Sequence, residues 1–126
     1  MSKKLLQLQQ TIGAISKDST NPFYKSKYFD INGLIEALKP HLNTLGLVLL
    51  QPLTTVIAGS EIKPAIRTIL IDAETGTKLI DDAIILPQLP DPQKFGSAVT
   101  YFRRYAIQSC LFLQAEDDDA NLTINK

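Results

Sequence analysis

Between Leu47 and Leu86 the chain carries three runs rich in β-branched and apolar residues, Leu47 to Ile57, Ile62 to Ile71 and Leu79 to Leu86. Only Ala58-Gly59-Ser60 and Glu74-Thr75-Gly76 mark the turns between them. Links so short join antiparallel neighbours, because a parallel pair needs a crossover of about a dozen residues or more. The spacing therefore predicts a three-stranded antiparallel meander, with Gly76 in the left-handed position of a bulged hairpin. Pro52 and Pro64 lack an N–H, which assigns each to an edge, a bulge or a strand start.

The flanking segments change period. From Lys3 to Ser16, Leu5, Leu8, Ile12 and Ile15 recur at three- and four-residue steps, the spacing of one helical face. Lys17 to Phe29 reads as a turn-rich loop or extended segment. Asp30 is placed to cap a second helix with the face Ile31, Leu34, Ile35, Leu38, Leu42 and Leu45, a stop at Gly46 and a kink at Pro40. Asp91-Pro92, a cap followed by a first-turn proline, opens a last helix whose buried stripe is predicted as Phe95, Ala98, Val99, Phe102, Ala106, Cys110 and Leu113. The order is α-α-β-β-β-α, an α+β fold with helices on one face of the sheet. At 126 residues it reads as a single domain over 1–126, with an N-terminal helix at 3–16 and an acidic segment at 116–126.

With 44% apolar and 21% charged residues the composition is that of an ordinary globular domain. No run approaches the about 18 to 20 apolar residues of a membrane span, and Lys3-Lys4 leads into a glutamine-broken helix pattern rather than a signal peptide. The expectation is a cytoplasmic protein with no membrane contact. The single cysteine, Cys110, forms no internal disulfide and supplies no thiolate zinc site. Neither the dinucleotide nor the Walker glycine pattern is present, so no nucleotide cofactor is expected. His41 and Cys110 read as structural residues. The run Glu116, Asp117, Asp118 and Asp119 reads as a solvated or partner-facing tail rather than a metal site. No catalytic residue emerges, and the chain reads as a non-enzyme.

Thirteen basic and thirteen acidic side chains cancel, but unevenly. The first thirty residues hold five lysines against two aspartates, while Glu116 to Asp119 concentrate four carboxylates. Between Phe23 and Phe29, Lys25 and Lys27 alternate with rings including Tyr24 and Tyr28, pairing phosphate neutralisation with base stacking as single-strand binders do. Arg103 and Arg104 lie off the apolar stripe of the last helix and suit a backbone clamp. Lys63 and Arg67, four apart on one strand face, extend a basic surface. The alternatives are that the rings staple a loop to the core and that the arginines form surface salt bridges, with Asp81 or Asp82 as partners.

Two stretches carry a family resemblance. Asn21-Pro22-Phe23-Tyr24-Lys25-Ser26-Lys27-Tyr28, continuing through Asp30-Ile31-Asn32-Gly33-Leu34-Ile35 to Lys39-Pro40-His41-Leu42, resembles the opening signature of the Erf (essential recombination function) family of phage single-strand annealing proteins. Gly96-Ser97-Ala98-Val99-Thr100-Tyr101-Phe102-Arg103-Arg104-Tyr105-Ala106, ending in Ala115-Glu116-Asp117-Asp118-Asp119-Ala120-Asn121, resembles its closing signature. Together they bracket about residues 20 to 121. The resemblance implies a protein without cofactor or ATP that binds single-stranded DNA and pairs complementary strands during phage recombination, in the host bacterial cytoplasm. It also implies a homo-oligomer, ring or filament, with a core like that of the ring-forming annealing proteins of eukaryotic recombination. Partners such as an exonuclease or a single-strand-binding protein are implied too. The DNA contacts it carries over are Arg103, Arg104, Lys25 and Lys27. Two rivals remain. One is a double-stranded RNA-binding domain, which shares the α-β-β-β-α order but calls for a lysine cluster where this helix opens Asp91-Pro92-Gln93-Lys94. The other is a non-catalytic self-assembly protein, which zero net charge favours.

Overall fold

The structure is a computed structural model that describes residues 3–12 and 31–113. Its elements are α1 (Lys4–Ile12), α2 (Ile31–Leu45), β1 (Leu47–Leu50), β2 (Leu53–Ala58), β3 (Glu61–Asp72), β4 (Lys78–Ile85) and α3 (Pro92–Cys110). The α+β class and the antiparallel sheet agree with the sequence reading. One difference is the strand number, four rather than three.

The extra strand comes from Pro52. Leu47 pairs with Asp72 and Leu50 with Ile69, while Leu53 pairs with Ile66 and Ala58 with Glu61, all in one continuous register along β3. β1 and β2 are thus one path interrupted at Gln51-Pro52. There the Arg67 N–H donates to the Pro52 carbonyl at 3.1 Å, but proline has no N–H to return the bond, and the ladder breaks. Pro64 sits opposite Thr55 and accepts from Leu86 N–H at 2.9 Å, just where β4 has ended, so its missing donor costs the sheet little.

The turns follow from local sterics. Gly59, φ +65°, takes the first position of the two-residue β2–β3 loop. Gly76, φ +77°, closes the β3–β4 turn in the left-handed position predicted for it. The register between β3 and β4 shifts after Leu70, which pairs with Ile80, to Ile71, which pairs with Lys78; Leu79 is the bulged residue.

The three helices cover one face of the sheet, and the core gathers Leu8 and Ile12 of α1, Leu34, Leu38 and Leu42 of α2, Leu47, Leu70, Ile107 and Leu111. α1 is also tied to the β3–β4 turn by Lys4, whose Nζ reaches Asp72 Oδ1 at 2.8 Å and Glu74 Oε1 at 2.6 Å. Pro40 lies inside a helix that continues to Leu45. Ile15, the Asp30 cap and the loop Lys17 to Phe29 fall outside the described residues.

The buried stripe of α3 differs from the expectation. Of the seven residues proposed for it only Ala106 is buried, alongside Ile107, Leu111 and Arg104. Phe95, Ala98, Val99, Phe102 and Cys110 are half-buried. The α1–α2 layer meets the C-terminal half of α3, so Ile107 and Leu111 become its anchors. Along the β2–β3 hairpin Leu53, Ile57 and Ile62 are exposed.

Candidate nucleic-acid interface

α3 is fixed at its start by its own sequence. The Asp91 carboxylate accepts from Gln93 N–H at 2.9 Å, Pro92 occupies the first turn, and the Phe95 N–H donates to the Asp91 carbonyl at 2.9 Å. From Pro92 to Cys110 the helix contains Lys94, Arg103 and Arg104 and no carboxylate.

Besides its core anchors Ile107 and Leu111, the helix is tied to the sheet by Gln51, which lies in the β1–β2 break. Gln51 Nε2 donates to the Arg103 carbonyl at 3.1 Å and to Thr68 Oγ1 at 3.0 Å, giving the buried Thr68 hydroxyl a partner. Beside this link α2, β1 and α3 enclose an open cleft of about 270 Å³. Its floor is apolar, including Leu42, Leu47, Leu49 and Ile107, and its polar lip is Lys39, Asn43, Gln51 and Arg103. Among the described residues no carboxylate pairs with Arg103. Lys39 meets Glu36 at 3.5 Å in an exposed pair, of a kind that holds an ammonium only weakly. An apolar floor beneath two cations accepts a flat, uncharged group attached to an anion.

The neighbouring residue Arg104 is buried. Its guanidinium lies 4.6 Å from the centroid of the Tyr105 ring and 5.9 Å from that of Tyr101. The two rings stand 4.6 Å apart, and Tyr101 makes an edge contact with Phe102 at 5.3 Å. The hydrogen bond with Tyr101, and then burial, raise the Tyr105 phenol above its ordinary value, with Arg104 opposing. Long side chains with aliphatic stems bury in this way while their heads find partners.

Lys63 and Arg67 occupy the other side of the sheet. Strand alternation places them opposite the face that carries Ile66, Thr68 and Leu70. Lys63 pairs with Glu61 at 3.1 Å, and Arg67 grips Asp81 through Nε at 3.1 Å and through Nη2. The hydrogen bond to Arg67 lowers the Asp81 pKa, and that same bond raises the Arg67 pKa. These two cations are not brought together with Arg103. Asp81 does pair with an arginine, but from its own sheet rather than from α3. Tyr24, Lys25, Lys27 and Tyr28 and the acidic run Glu116 to Asp119 lie outside the described residues.

Cys110 is half-buried, and burial, then the Asp82 carboxylate, push its thiol pKa up, which keeps it protonated and poorly nucleophilic at neutral pH. Among the described residues no helix is long and apolar enough to cross a membrane, and no group of three His, Cys, Asp or Glu side chains stands ready to hold a metal ion.

Lys39, Gln51, Tyr101 and Tyr105 are not among the contacts expected from the sequence. The tyrosines carry a usable signal, four residues apart and flanking an arginine pair in a helix without acidic residues. Lys39 and Gln51 carry none, because only the fold brings them to Arg103.

The family model of the ERF superfamily matches residues 1–126. No curated protein and no solved structure matches the chain.

Proposed function

Since this chain belongs to the ERF superfamily, we propose that it binds single-stranded DNA without sequence preference and anneals complementary strands without ATP. On this reading it is a non-catalytic homo-oligomer, ring or filament, serving phage recombination in the bacterial cytoplasm beside an exonuclease or single-strand-binding protein. The observation that carries it is the cleft between α2 and α3, where Lys39 and Arg103 stand over an apolar floor. Annealing needs phosphates held and bases left reachable, and cations at the lip of a groove meet the first need. Lys25 and Lys27 belong to the same reading as further phosphate contacts, with Tyr24 and Tyr28 as stacking rings. The RNA-binding rival is disfavoured because the first turn of α3 offers Lys94 alone among cations.

The test is binding of a labelled oligo(dT) strand across a salt series. Arg103→Ala and Lys39→Ala are each expected to weaken binding at low salt. Each should flatten the dependence of log affinity on log salt by about 0.7, the share of one phosphate contact on a single strand. An unchanged slope in folded variants overturns the placement of DNA in this cleft.

A further inference from the structure

The outward side of α3 carries a second feature that the cleft does not use. Lys94, Tyr101 and Tyr105 follow one another at steps of seven and four, one stripe of a helix. It faces away from the stripe of Ile107 and Leu111 that enters the core. Tyr101 is 50% exposed although it is a large ring beside a well-filled core. Arg104 braces the pair from below, its guanidinium closest to the Tyr105 ring.

The end of the helix extends the pattern. Leu113 N–H donates to the Gln108 carbonyl at 2.9 Å and Phe112 N–H to the Ser109 carbonyl at 3.3 Å, the paired bonds of a Schellman turn whose left-handed position usually belongs to glycine. Here it is Phe112, with φ +59° and 82% of its surface exposed. A phenylalanine in that place strains the backbone and leaves a ring in water, so neither the turn nor the core gains from it. Local rules broken without a folding benefit are expected at functional sites.

From these observations we infer that Tyr101, Tyr105 and Phe112 form a stacking platform for the unpaired bases of single-stranded DNA on the outer side of α3, separate from the Lys39–Arg103 cleft. The inference rests on the reading of the chain as a single-strand binder. The ligand class follows from chemistry. Flat π-faces accept every base alike, and a stripe that carries Lys94, on a helix with no carboxylate of its own, attracts a polyanion rather than a basic protein surface.

The experiment compares two labelled strands of equal length, oligo(dT) and an abasic strand with the same phosphates. Tyr101→Ala is expected to weaken oligo(dT) binding between about fivefold and about a hundredfold, the range of one lost stacking contact. It should leave abasic binding unchanged, and Tyr101→Phe should match wild type. Phe112→Gly separates stacking from stability by opposite signs: glycine suits the left-handed position, so the melting temperature holds or rises while oligo(dT) binding falls. Wild-type affinity for oligo(dT) in folded Tyr101→Ala and Phe112→Gly overturns the platform. So does equal weakening on both strands. Failure of the wild-type chain to bind any single strand overturns the functional reading instead. Should Tyr101→Ala not fold, the opposed signs at Phe112 decide alone.

Discussion

Asp72 uses one oxygen twice: its Oδ1 accepts from Lys4 Nζ at 2.8 Å and from Glu74 N–H at 3.0 Å, in a side chain that is almost fully buried. The Lys4 hydrogen bond lowers the Asp72 pKa, with burial opposing and the Glu74 N–H assisting. Lys4 is raised in turn, first by Asp72 and then by Glu74. A carboxylate whose folded pKa lies below its unfolded value of about 3.9 binds fewer protons in the native state. Its contribution is present above that unfolded value and is lost as pH falls through the folded one. Thermal melts from neutral pH downward should therefore show a drop in melting temperature beginning near about pH 4. Asp72→Asn keeps an acceptor for Glu74 N–H but loses the charge, so it should melt lower at pH 7 and fall less steeply in acid. An acid slope identical to wild type assigns that drop to other carboxylates.

At the scale of elements, the bond from Arg67 N–H to the Pro52 carbonyl sets which groups of the β1–β2 path point inward. Residues 54, 56 and 58 exchange bonds with β3, and residues 53, 55 and 57 turn their backbone groups away from it. The missing donor of Pro52 points inward and does nothing to blunt the outer edge. From Leu47 to Ala58 that edge has no charged residue, and Leu53 and Ile57 are exposed. Uncharged edges of this length recruit another strand. If the proposed assembly uses it, Thr55→Pro removes only an outward donor, leaves melting nearly unchanged and lowers the mass measured by light scattering. Thr54→Pro breaks an inward bond and should instead lower the melting temperature, consistent with the about 1 to 3 kcal/mol of a buried group left unpaired. Persistence of the wild-type mass in Thr55→Pro excludes this edge from the contact. These elements were legible in the sequence because their causes are short-range: Gly76 and Asp91-Pro92 act within one turn. The facing of α3 was not legible. Phe95, Val99 and Phe102 are as apolar as Ile107 and Leu111, and only the position of the α1–α2 layer chooses between the stripes. Nor was Arg104 legible as a buried residue, since its aromatic packing is decided in three dimensions. Lys4 and Asp72 meet across 68 residues of chain that no local pattern links.

For the molecule as a whole, the distribution of compensated charge says where a polyanion can lie. On the sheet face opposite the helices the cations are already answered: Lys63 by Glu61, and Arg67 and Lys78 by Asp81. A phosphate arriving there competes with a carboxylate for each cation and meets the field of Asp81 as well. On the helical side Arg103 has no such competitor among the described residues, and Lys39 has only an exposed neighbour at 3.5 Å. Binding free energy in such systems comes largely from counterions released when phosphates replace them, and a cation already held by a carboxylate has few to release. The paired double variants Lys63→Ala/Arg67→Ala and Lys39→Ala/Arg103→Ala should thus behave oppositely. The first should cost stability, through loss of the Arg67 fork on Asp81, while the folded protein keeps the wild-type salt slope and annealing rate. The second should keep the fold, flatten the slope by about 0.7 for each cation removed, and slow annealing of complementary strands, with ATP without effect on either protein. Salt-series anisotropy, circular dichroism and an annealing time course on the same samples make the comparison. A flatter slope in the first pair with an unchanged one in the second moves the strand to the sheet face opposite the helices, and the cleft loses its role.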